Sequence, residues 1–438
     1  MRHRPAATLL VLPLVLGGLL CACAAPSPAA PGSVTQPHGG DSGAPSGAPK
    51  RLVAAIMAEP PALYRALIPA GYIIQSGDVT DTIVNVGLTV TDNHGVRQPV
   101  LAEVVPSLDN GLWELFPDGQ MRLTWQIRPG ATWHDGVPFT AADLVFSAQV
   151  AQDPDFPEFR AQGLALLDYV EEVDSHTIAT VWKQPYIHAD RLFSTGADTM
   201  IPPLPQHLLQ DAYQSNREGL RQLPYWTTGY VGMGPFKLQE WVAGSHLLLS
   251  AHDAYALGRP RIDQLEIRFI PDADTLVANI LSGGVLTTIG TGLDLEQSVN
   301  VRDQWHDGRL NVAVDSWVFA APQFINPDPP IVADVRLRRA LLQAIDRQAL
   351  ADTIQAGLVP PADSPVRPNE PEYPEIVESL VPHPFDPTSA LRQLADLGYT
   401  PGPDGVLQDG AGQHLALEVR ATASPAIHAK TMLPVADA

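Results

Sequence analysis

Apolar and polar residues alternate along several stretches of this chain, which is the pattern of β-strands with one buried face. The clearest stretch has an apolar side chain at every second position from Met121 to Ile127, with polar residues between them. The same alternation recurs from Leu265 to Phe269. Two apolar runs flank Ala243 and Gly244, and this arrangement predicts a β-hairpin.

Helices are indicated by the residues at their ends. Thr140 and Asp143 have the spacing of a capping box in front of an apolar run. Three further helices are predicted after acidic residues that precede an apolar stripe, and glycines end two of them. These helices follow Asp334, Asp346 and Asp386, and the last two end at Gly357 and Gly398. Because strands and helices interleave without βαβ regularity, the sequence predicts a multidomain α/β protein with mixed sheets.

Residues 1–22 are predicted to be a lipoprotein signal peptide. A basic start precedes an apolar run from Thr8 to Leu20, shorter than the ~20 residues that a membrane-spanning helix needs. Leu20 and Ala22 stand third and first before Cys23, as in bacterial lipoprotein signals, so Cys23 is the predicted lipidation site. The alternative is an ordinary cleaved signal that contains two cysteines.

Residues 23–50 are predicted to be a disordered tether, because Ala, Pro, Gly and Ser dominate and bury little apolar surface. The two cysteines are Cys21, inside the predicted signal, and Cys23, the residue directly after it, so signal cleavage would leave no pair for an internal disulfide. The formal net charge is −21. A charge of this sign disfavours nucleic acid and anionic lipid as partners, since both attract basic surfaces.

Motifs for catalysis are scarce. The sequence contains no zinc-binding His-Glu-x-x-His, no Walker loop and no Gly-x-Ser-x-Gly elbow. A Gly-Asp-Ser-Gly string at Gly40–Gly43 lies in the tether, where a histidine and oxyanion donors would not be held beside it. The Trp133–Gly136 string is interpreted as a hydrogen-bonded turn, with a metal or acid–base site as the alternative. We therefore predict no catalytic residue, no metal, no cofactor and no enzyme activity.

Four segments carry a family resemblance in the same order along the chain. They are PDGQMRLTWQIRPGATWHDGVPFTAADLVF at 117–146, GMGPFKL at 232–238 with Trp241 and Gly244 after it, VRLRRAL and AIDR within 335–347, and DPTSALRQLADLGY at 386–399. Together they resemble the family 5 extracellular solute-binding proteins, the oligopeptide, dipeptide and nickel binders of ABC importers. The segments themselves are interpreted as structural: Gly136 and Gly234 as tight turns, Arg336 and Arg347 as ion-pair partners.

The resemblance implies the type II periplasmic-binding-protein fold of the peptide-binder subclass, with two lobes, a hinge and an extra domain. By analogy residues 51–66 and 200–310 form the first lobe, 67–199 the inserted domain and 311–438 the second lobe. The solute is expected in the cleft between the lobes, as is common at domain interfaces.

Ligand contacts are assigned from the same resemblance, and core packing is the alternative for each. One lies in a segment that matches the start of the family fold in part, three lie in a loop after the first long helix, and four lie along the strand that enters the second lobe. They are Glu59; Asp155, Phe156 and Phe159; and Trp317, Phe319, Phe324 and Asn326. Aromatic residues there would form apolar walls for side-chain pockets.

The expected function is capture of a peptide or similar small solute and its delivery to the permease subunits of an ABC importer. The expected protein is a monomer in the cell envelope, lipid-anchored to the outer face of the cytoplasmic membrane or periplasmic. A solute-sensing or chaperone-like lipoprotein is the second hypothesis. An exported hydrolase is the third, but no nucleophile, base and oxyanion donors can be assembled for it. Oligopeptides, dipeptides, nickel chelates and small glycosides all remain open as ligands.

The C-terminal end of the sequence bears on these expectations. Thr431 to Ala438 predicts the start of an amphipathic helix, whereas family members continue beyond this point. We therefore expect the second lobe to be incomplete, as in a fragment or an interrupted gene. In the peptide binders, the aspartate that meets the peptide amino group lies in that later part.

Overall fold

The computed structural model describes residues 49–68, 82–161, 163–196, 201–290, 292–312, 314, 317–422 and 426–437. The predicted signal peptide, Cys23 and the tether up to residue 48 lie outside the described residues. The strands are β1 (Arg51–Ile56), β2 (Thr89–Thr91), β3 (Arg97–Pro99), β4 (Trp113–Leu115), β5 (Met121–Gln126), β6 (Leu167–Asp174), β7 (Thr177–Trp182), β8 (Phe236–Val242), β9 (His246–Ala251), β10 (Gln264–Phe269), β11 (Thr287–Thr288), β12 (Thr400–Pro401) and β13 (Leu407–Gln408).

The α-helices of the described residues follow in the same order. They are α1 (Ala141–Gln152), α2 (Gln206–Ser215), α3 (Arg217–Leu220), α4 (Ala273–Leu281), α5 (Leu295–Gln304), α6 (Val335–Ala344), α7 (Arg347–Ile354), α8 (Tyr373–Ser379), α9 (Pro387–Asp396) and α10 (Ala426–Asp437). None of these helices has the length and apolar content that crossing a membrane requires.

A five-stranded mixed sheet has the order β11-β1-β10-β9-β8. Strand β1 pairs in parallel with β10 and with β11, while β10, β9 and β8 are antiparallel neighbours. The predicted hairpin is therefore confirmed as β8–β9. Ala54, Ala55 and Ile56 are fully buried, because β1 lies inside the sheet and both of its faces are covered.

A four-stranded antiparallel sheet has the order β4-β5-β7-β6. Along β5 the buried and less buried positions alternate from Met121 onward, which confirms the predicted half-buried strand. Helix α1 packs beside this sheet. The predicted capping box is also confirmed, since the Thr140 backbone N–H donates to the Asp143 carboxylate at 3.0 Å.

The three helix starts predicted from acidic residues are confirmed. Carboxylate oxygens of Asp334, Asp346 and Asp386 accept hydrogen bonds from backbone N–H groups in the first turns of α6, α7 and α9. Gly357 and Gly398 follow α7 and α9 with left-handed φ values of 66° and 90°. Helix α10 begins at Ala426, before the predicted start at Thr431.

The structural roles predicted within the family segments can be compared one by one. Arg336 pairs with Asp334 at 2.7 Å and Arg347 pairs with Asp363 at 2.9 Å, which confirms both ion pairs. Gly136 is confirmed in a turn with φ 88°. Gly234 lies in a backbone bend, and a Cβ there would lie 2.4 Å from the Ile83 carbonyl oxygen, so a close backbone approach also requires glycine here; the tight turn itself stays a prediction.

Buried apolar side chains form three clusters. The largest contains residues from both the predicted first lobe and the predicted insertion, among them Leu63, Trp125 and Ile267. A second surrounds Leu276 behind the mixed sheet, and a third joins α6 to α9 around Leu337 and Leu394. The lobe and insertion limits given above stay a prediction.

Candidate functional site

The strongest candidate site lies where the parallel strands of the mixed sheet end. Ile56 pairs with Phe269, so β1 and β10 finish at the same edge of the sheet. The β8–β9 hairpin turns at this edge too, because the Phe269 N–H donates to the Ser245 carbonyl oxygen at 2.9 Å. Open α/β sheets commonly hold their ligands in a crevice at the carboxyl ends of the strands.

A cavity of ≈ 810 Å³ opens at this edge. Its lining is mostly apolar, with two hydroxyl groups and one charged side chain. The lining residues are Met57, Ala58, Glu59, Pro60, Pro61, Thr227, Thr228, Trp241, Ala243 and Pro271. The volume and composition suit a small-molecule pocket, which typically combines apolar walls with a few polar groups that fix orientation.

Three separate segments build this cavity. Met57 to Pro61 continue directly from β1, and Pro271 follows β10. Thr227 and Thr228 belong to a loop that is held beside the β1 segment, because the Leu63 N–H donates to the Trp226 carbonyl oxygen at 2.8 Å. The cavity is thus a product of the tertiary fold and of the sheet register.

Glu59 is the only ionisable residue among the lining residues. One carboxylate oxygen accepts from the Trp241 indole N–H at 2.8 Å, and the other accepts from the Gly244 backbone N–H at 2.8 Å. Within the described part of the chain, no cation pairs with this carboxylate. A carboxylate offers about four acceptor positions. Glu59 therefore keeps its orientation and still has capacity to accept from a ligand.

The three predicted contacts in the loop after α1 lie elsewhere. Phe156 and Phe159 are buried, at 0 % and 4 % exposure, as core packing would have them. The Phe159 ring contacts Tyr64 and Trp226, whereas Arg217 stacks on Phe156 with its guanidinium carbon 5.0 Å from the ring centre. Asp155 is exposed and pairs with Arg217 at 3.1 Å. None of the three lines the cavity.

The four predicted contacts at the start of the second lobe are exposed. Trp317, Phe319 and Phe324 have 44 %, 72 % and 59 % of their surface accessible. Arg338 lies over the Phe324 ring at 4.9 Å, and Asn326 has a left-handed φ of 50°. Of all the predicted contacts, the fold brings only Glu59 into the cavity, and ligand binding at the others stays a prediction.

The Trp133–Gly136 turn is closed by a local hydrogen bond from the Gly136 N–H to the Trp133 carbonyl at 2.9 Å, and the His134 ring bonds to a loop that is distant in sequence. His134 Nδ1 accepts from the Gly232 N–H at 3.2 Å, so the ring proton is on Nε2, which donates to the Gly234 carbonyl at 3.0 Å. Burial lowers the pKa of His134 to about 3, which keeps the ring neutral. Across the described ranges, no three His, Cys, Asp or Glu side chains are grouped as metal ligands would be. Both ring nitrogens of His134 are thus used by hydrogen bonds within the protein, in agreement with the interpretation of this string as a hydrogen-bonded turn.

The sequence does not single out Trp241, Thr227 or Thr228 as site residues. Trp241 belongs to a family segment that predicts a structural role, and its position opposite Glu59 depends on the hairpin register. The two threonines have no motif of their own. The one signal is general: a partly buried Trp241 indole N–H usually finds a hydrogen-bond partner, but the sequence does not indicate which residue supplies it.

Comparison with solved structures defines the fold. NikA from Brucella suis, solved in complex with Fe(III)-EDTA, matches with a TM-score of 0.66 at 20 % identity, over 88 % of this chain and 72 % of that one. AppA from Bacillus subtilis, solved in complex with a nonapeptide, matches with a TM-score of 0.54 at 23 % identity, over 84 % and 68 %. The fold is that of the two-lobed α/β solute-binding proteins, which confirms the predicted fold class.

The family follows from the sequence. Residues 103–436 match the model of the bacterial extracellular solute-binding proteins, family 5, and this chain belongs to that family. The oligopeptide-binding protein AppA of Bacillus subtilis is 28 % identical over 331 residues, 74 % of this chain and 56 % of that protein. A putative ABC transporter peptide-binding protein of Brucella ovis is 28 % identical over 293 residues, 66 % of this chain and 51 % of that protein. The chain thus spans about half the length of these curated relatives.

Proposed function

We propose that this protein captures a peptide or similar small solute in the cavity beside Glu59 and delivers it to the permease of an ABC importer. The observation that carries the proposal is the placement of one oriented carboxylate, which pairs with no cation among the described residues, in a mostly apolar cavity at the carboxyl edge of the sheet. Membership of a solute-binding family supports it, as do relatives named for peptide binding.

The chemistry of the cavity favours a ligand that carries an ammonium group. Two donors already hold the Glu59 carboxylate, and a peptide amino terminus would supply a third, charged donor. Hydrogen bonds between ionised groups contribute more than neutral ones. Met57, Trp241 and the prolines around them offer apolar surface for an adjoining side chain. Lipidation at Cys23 and a place in the cell envelope belong to the same proposal and rest on the sequence.

The test compares Glu59→Gln with Glu240→Gln, which removes the same charge from an exposed position on β8 outside the cavity lining. Native mass spectrometry of the purified protein with a mixed peptide digest identifies a bound peptide, and calorimetry then gives its affinity. We expect Glu59→Gln to weaken binding by about tenfold or more, which corresponds to about 1.4 kcal/mol, and Glu240→Gln to bind like the wild type.

The N-acetylated form of the same peptide supplies the second comparison. It lacks the ammonium group, so it should bind weakly to the wild type and lose little further affinity in Glu59→Gln. Equal affinity of wild type and Glu59→Gln for the free peptide would contradict the proposed site. Failure of any peptide to bind would contradict peptide capture itself.

A further inference from the structure

A second hollow lies far along the chain from the Glu59 cavity, between α6, α9 and the loop that leads into α9. Its volume is ≈ 390 Å³, and its lining consists of Arg339, Gln343, Val381, His383 and Gln393. Pockets of a few hundred cubic ångströms are large enough for small metabolites. The polar residues of this hollow are a guanidinium, an imidazole and two amides, so donors of hydrogen bonds dominate it.

Arg339 differs from the other arginines of α6, because each of those has a partner among the described residues and Arg339 has none there. Arg336 pairs with the Asp334 carboxylate at 2.7 Å, and Arg338 donates to the Ala333 carbonyl at 2.6 Å. Arg339 makes no hydrogen bond and no ion pair with any residue that the structure describes. All of its guanidinium donors are therefore available to a ligand in the hollow.

The walls around Arg339 are held in place. Leu337 and Ala340 on α6 are fully buried against Ala390 and Leu394 of α9, which fixes the two helices together. Gln343 lies one turn after Arg339, and its side-chain oxygen accepts from the Gln393 amide. That bond leaves the Gln343 side-chain NH₂ without a partner in the described ranges.

The loop that carries His383 is fixed by two further bonds. The Asp386 backbone N–H donates to the Gln343 carbonyl at 2.9 Å, and Arg347 donates to the His383 carbonyl at 3.4 Å. These bonds use the His383 backbone and leave its ring without a partner among the described residues. The ring is therefore free to contact a ligand in the hollow.

The charge of the hollow is opposite to that of the chain. The protein has 48 acidic and 27 basic residues, yet none of the five lining residues is acidic. We propose that this hollow is a binding site for a small oxyanion, a carboxylate or a phosphate, with Arg339 as its principal contact and Gln343 and His383 as supporting donors. A guanidinium matches such groups because two parallel N–H donors meet two oxygens.

This site is independent of solute capture at Glu59, and its test uses simple probes. Calorimetry with citrate and with inorganic phosphate, at an ionic strength held constant with sodium chloride, measures binding to the wild type and variants. We expect saturable binding at millimolar concentration, weakened about tenfold or more in Arg339→Gln. Arg339→Lys keeps the positive charge but loses the two parallel N–H donors of the guanidinium, so this variant should bind with intermediate affinity. Tighter binding of citrate identifies a carboxylate site, and tighter binding of phosphate a phosphate site.

Arg392→Gln is the matched control. Arg392 is an exposed arginine on α9, next in sequence to Gln393 but absent from the lining, and its loss changes the net charge equally. We expect this variant to bind within about twofold of the wild type. The proposal is overturned if neither probe binds the wild type, or if Arg392→Gln loses as much affinity as Arg339→Gln. Arg339 and Arg392 are both exposed, so neither substitution should destabilise the fold. Thermal unfolding without ligand checks that each variant is folded.

Discussion

Acid should destabilise this protein through His134, whose imidazole joins the turn before α1 to the loop before β8. The ring accepts from the Gly232 N–H and donates to the Gly234 carbonyl, which also bonds His252 Nδ1 at 3.2 Å. Protonation would place a hydrogen on Nδ1 opposite the Gly232 N–H, so the charged ring loses an acceptor and faces a second donor.

The magnitude follows from the pKa of His134, which falls from 6.5 to about 3, chiefly because burial opposes the charged ring. Nearby His252 and Lys237 lower it further, while Asp135 and the Gly234 carbonyl oppose the shift. Between these two pKa values the unfolded chain binds a proton that the native state does not, so the free energy of unfolding falls as the pH falls below 6.5. At pH 5 the loss is about 2 kcal/mol, at about 1.36 kcal/mol per pH unit.

The assay is urea denaturation of wild type and His134→Gln at pH 7 and pH 5, followed by tryptophan fluorescence. Glutamine does not titrate, so the decrease in unfolding free energy between the two pH values should be about 2 kcal/mol smaller in the variant. His252, whose pKa is also lowered chiefly by burial, is present in both proteins, so its own pH dependence does not distinguish them by removal of a histidine. His306→Gln, on an exposed histidine, controls for removal of any imidazole. The same pH dependence in wild type and His134→Gln would refute the reasoning.

Two further predictions concern backbone packing and anchoring. Gly234→Ala should lower the free energy of unfolding by about 1–3 kcal/mol, because the new Cβ would meet the Ile83 carbonyl at 2.4 Å. Gly410→Ala, where a Cβ has open space, should change it by less than about 0.5 kcal/mol in the same denaturation assay. Cys23→Ala should move the protein from the membrane to the soluble fraction of cells, whereas Cys21→Ala should not; equal retention of both would exclude Cys23 as the lipid attachment site.

Secondary structure was predictable here wherever its signals are local. Asp334, Asp346 and Asp386 each cap a helix through N–H groups two or three residues away, so a short sequence window contains the whole interaction. The alternation along β5 is equally local, since successive side chains of a strand point to opposite faces. Family resemblance then supplied the fold class that such short windows leave open.

The candidate site was less predictable because its contacts join distant parts of the chain. Glu59 meets Trp241 and Gly244 across 182 and 185 positions of sequence. Phe156 and Phe159, predicted as ligand contacts by analogy, are buried among aromatic rings that the fold brings together. The sequence pattern of an aromatic residue in a loop is the same whether the residue lines a ligand cleft or packs in the core. Only the contacts made in the folded protein distinguish these two positions.

The position of Trp241 shows how one irregularity of register determines the site. Strict alternation along β8 would place Phe236, Leu238 and Glu240 on one face. In the structure Leu238 pairs with Leu249 but Glu240 pairs with Leu248, so β8 contains one extra residue at this point. A bulge shifts every later side chain to the opposite face, and Trp241 therefore joins Phe236 and Leu238 against the core while Glu240 is exposed. The shift turns the Trp241 indole toward the end of β1, where its N–H donates to the Glu59 carboxylate. This bond orients the only ionisable side chain among the residues that line the cavity, a feature that the alternation of the sequence alone does not predict.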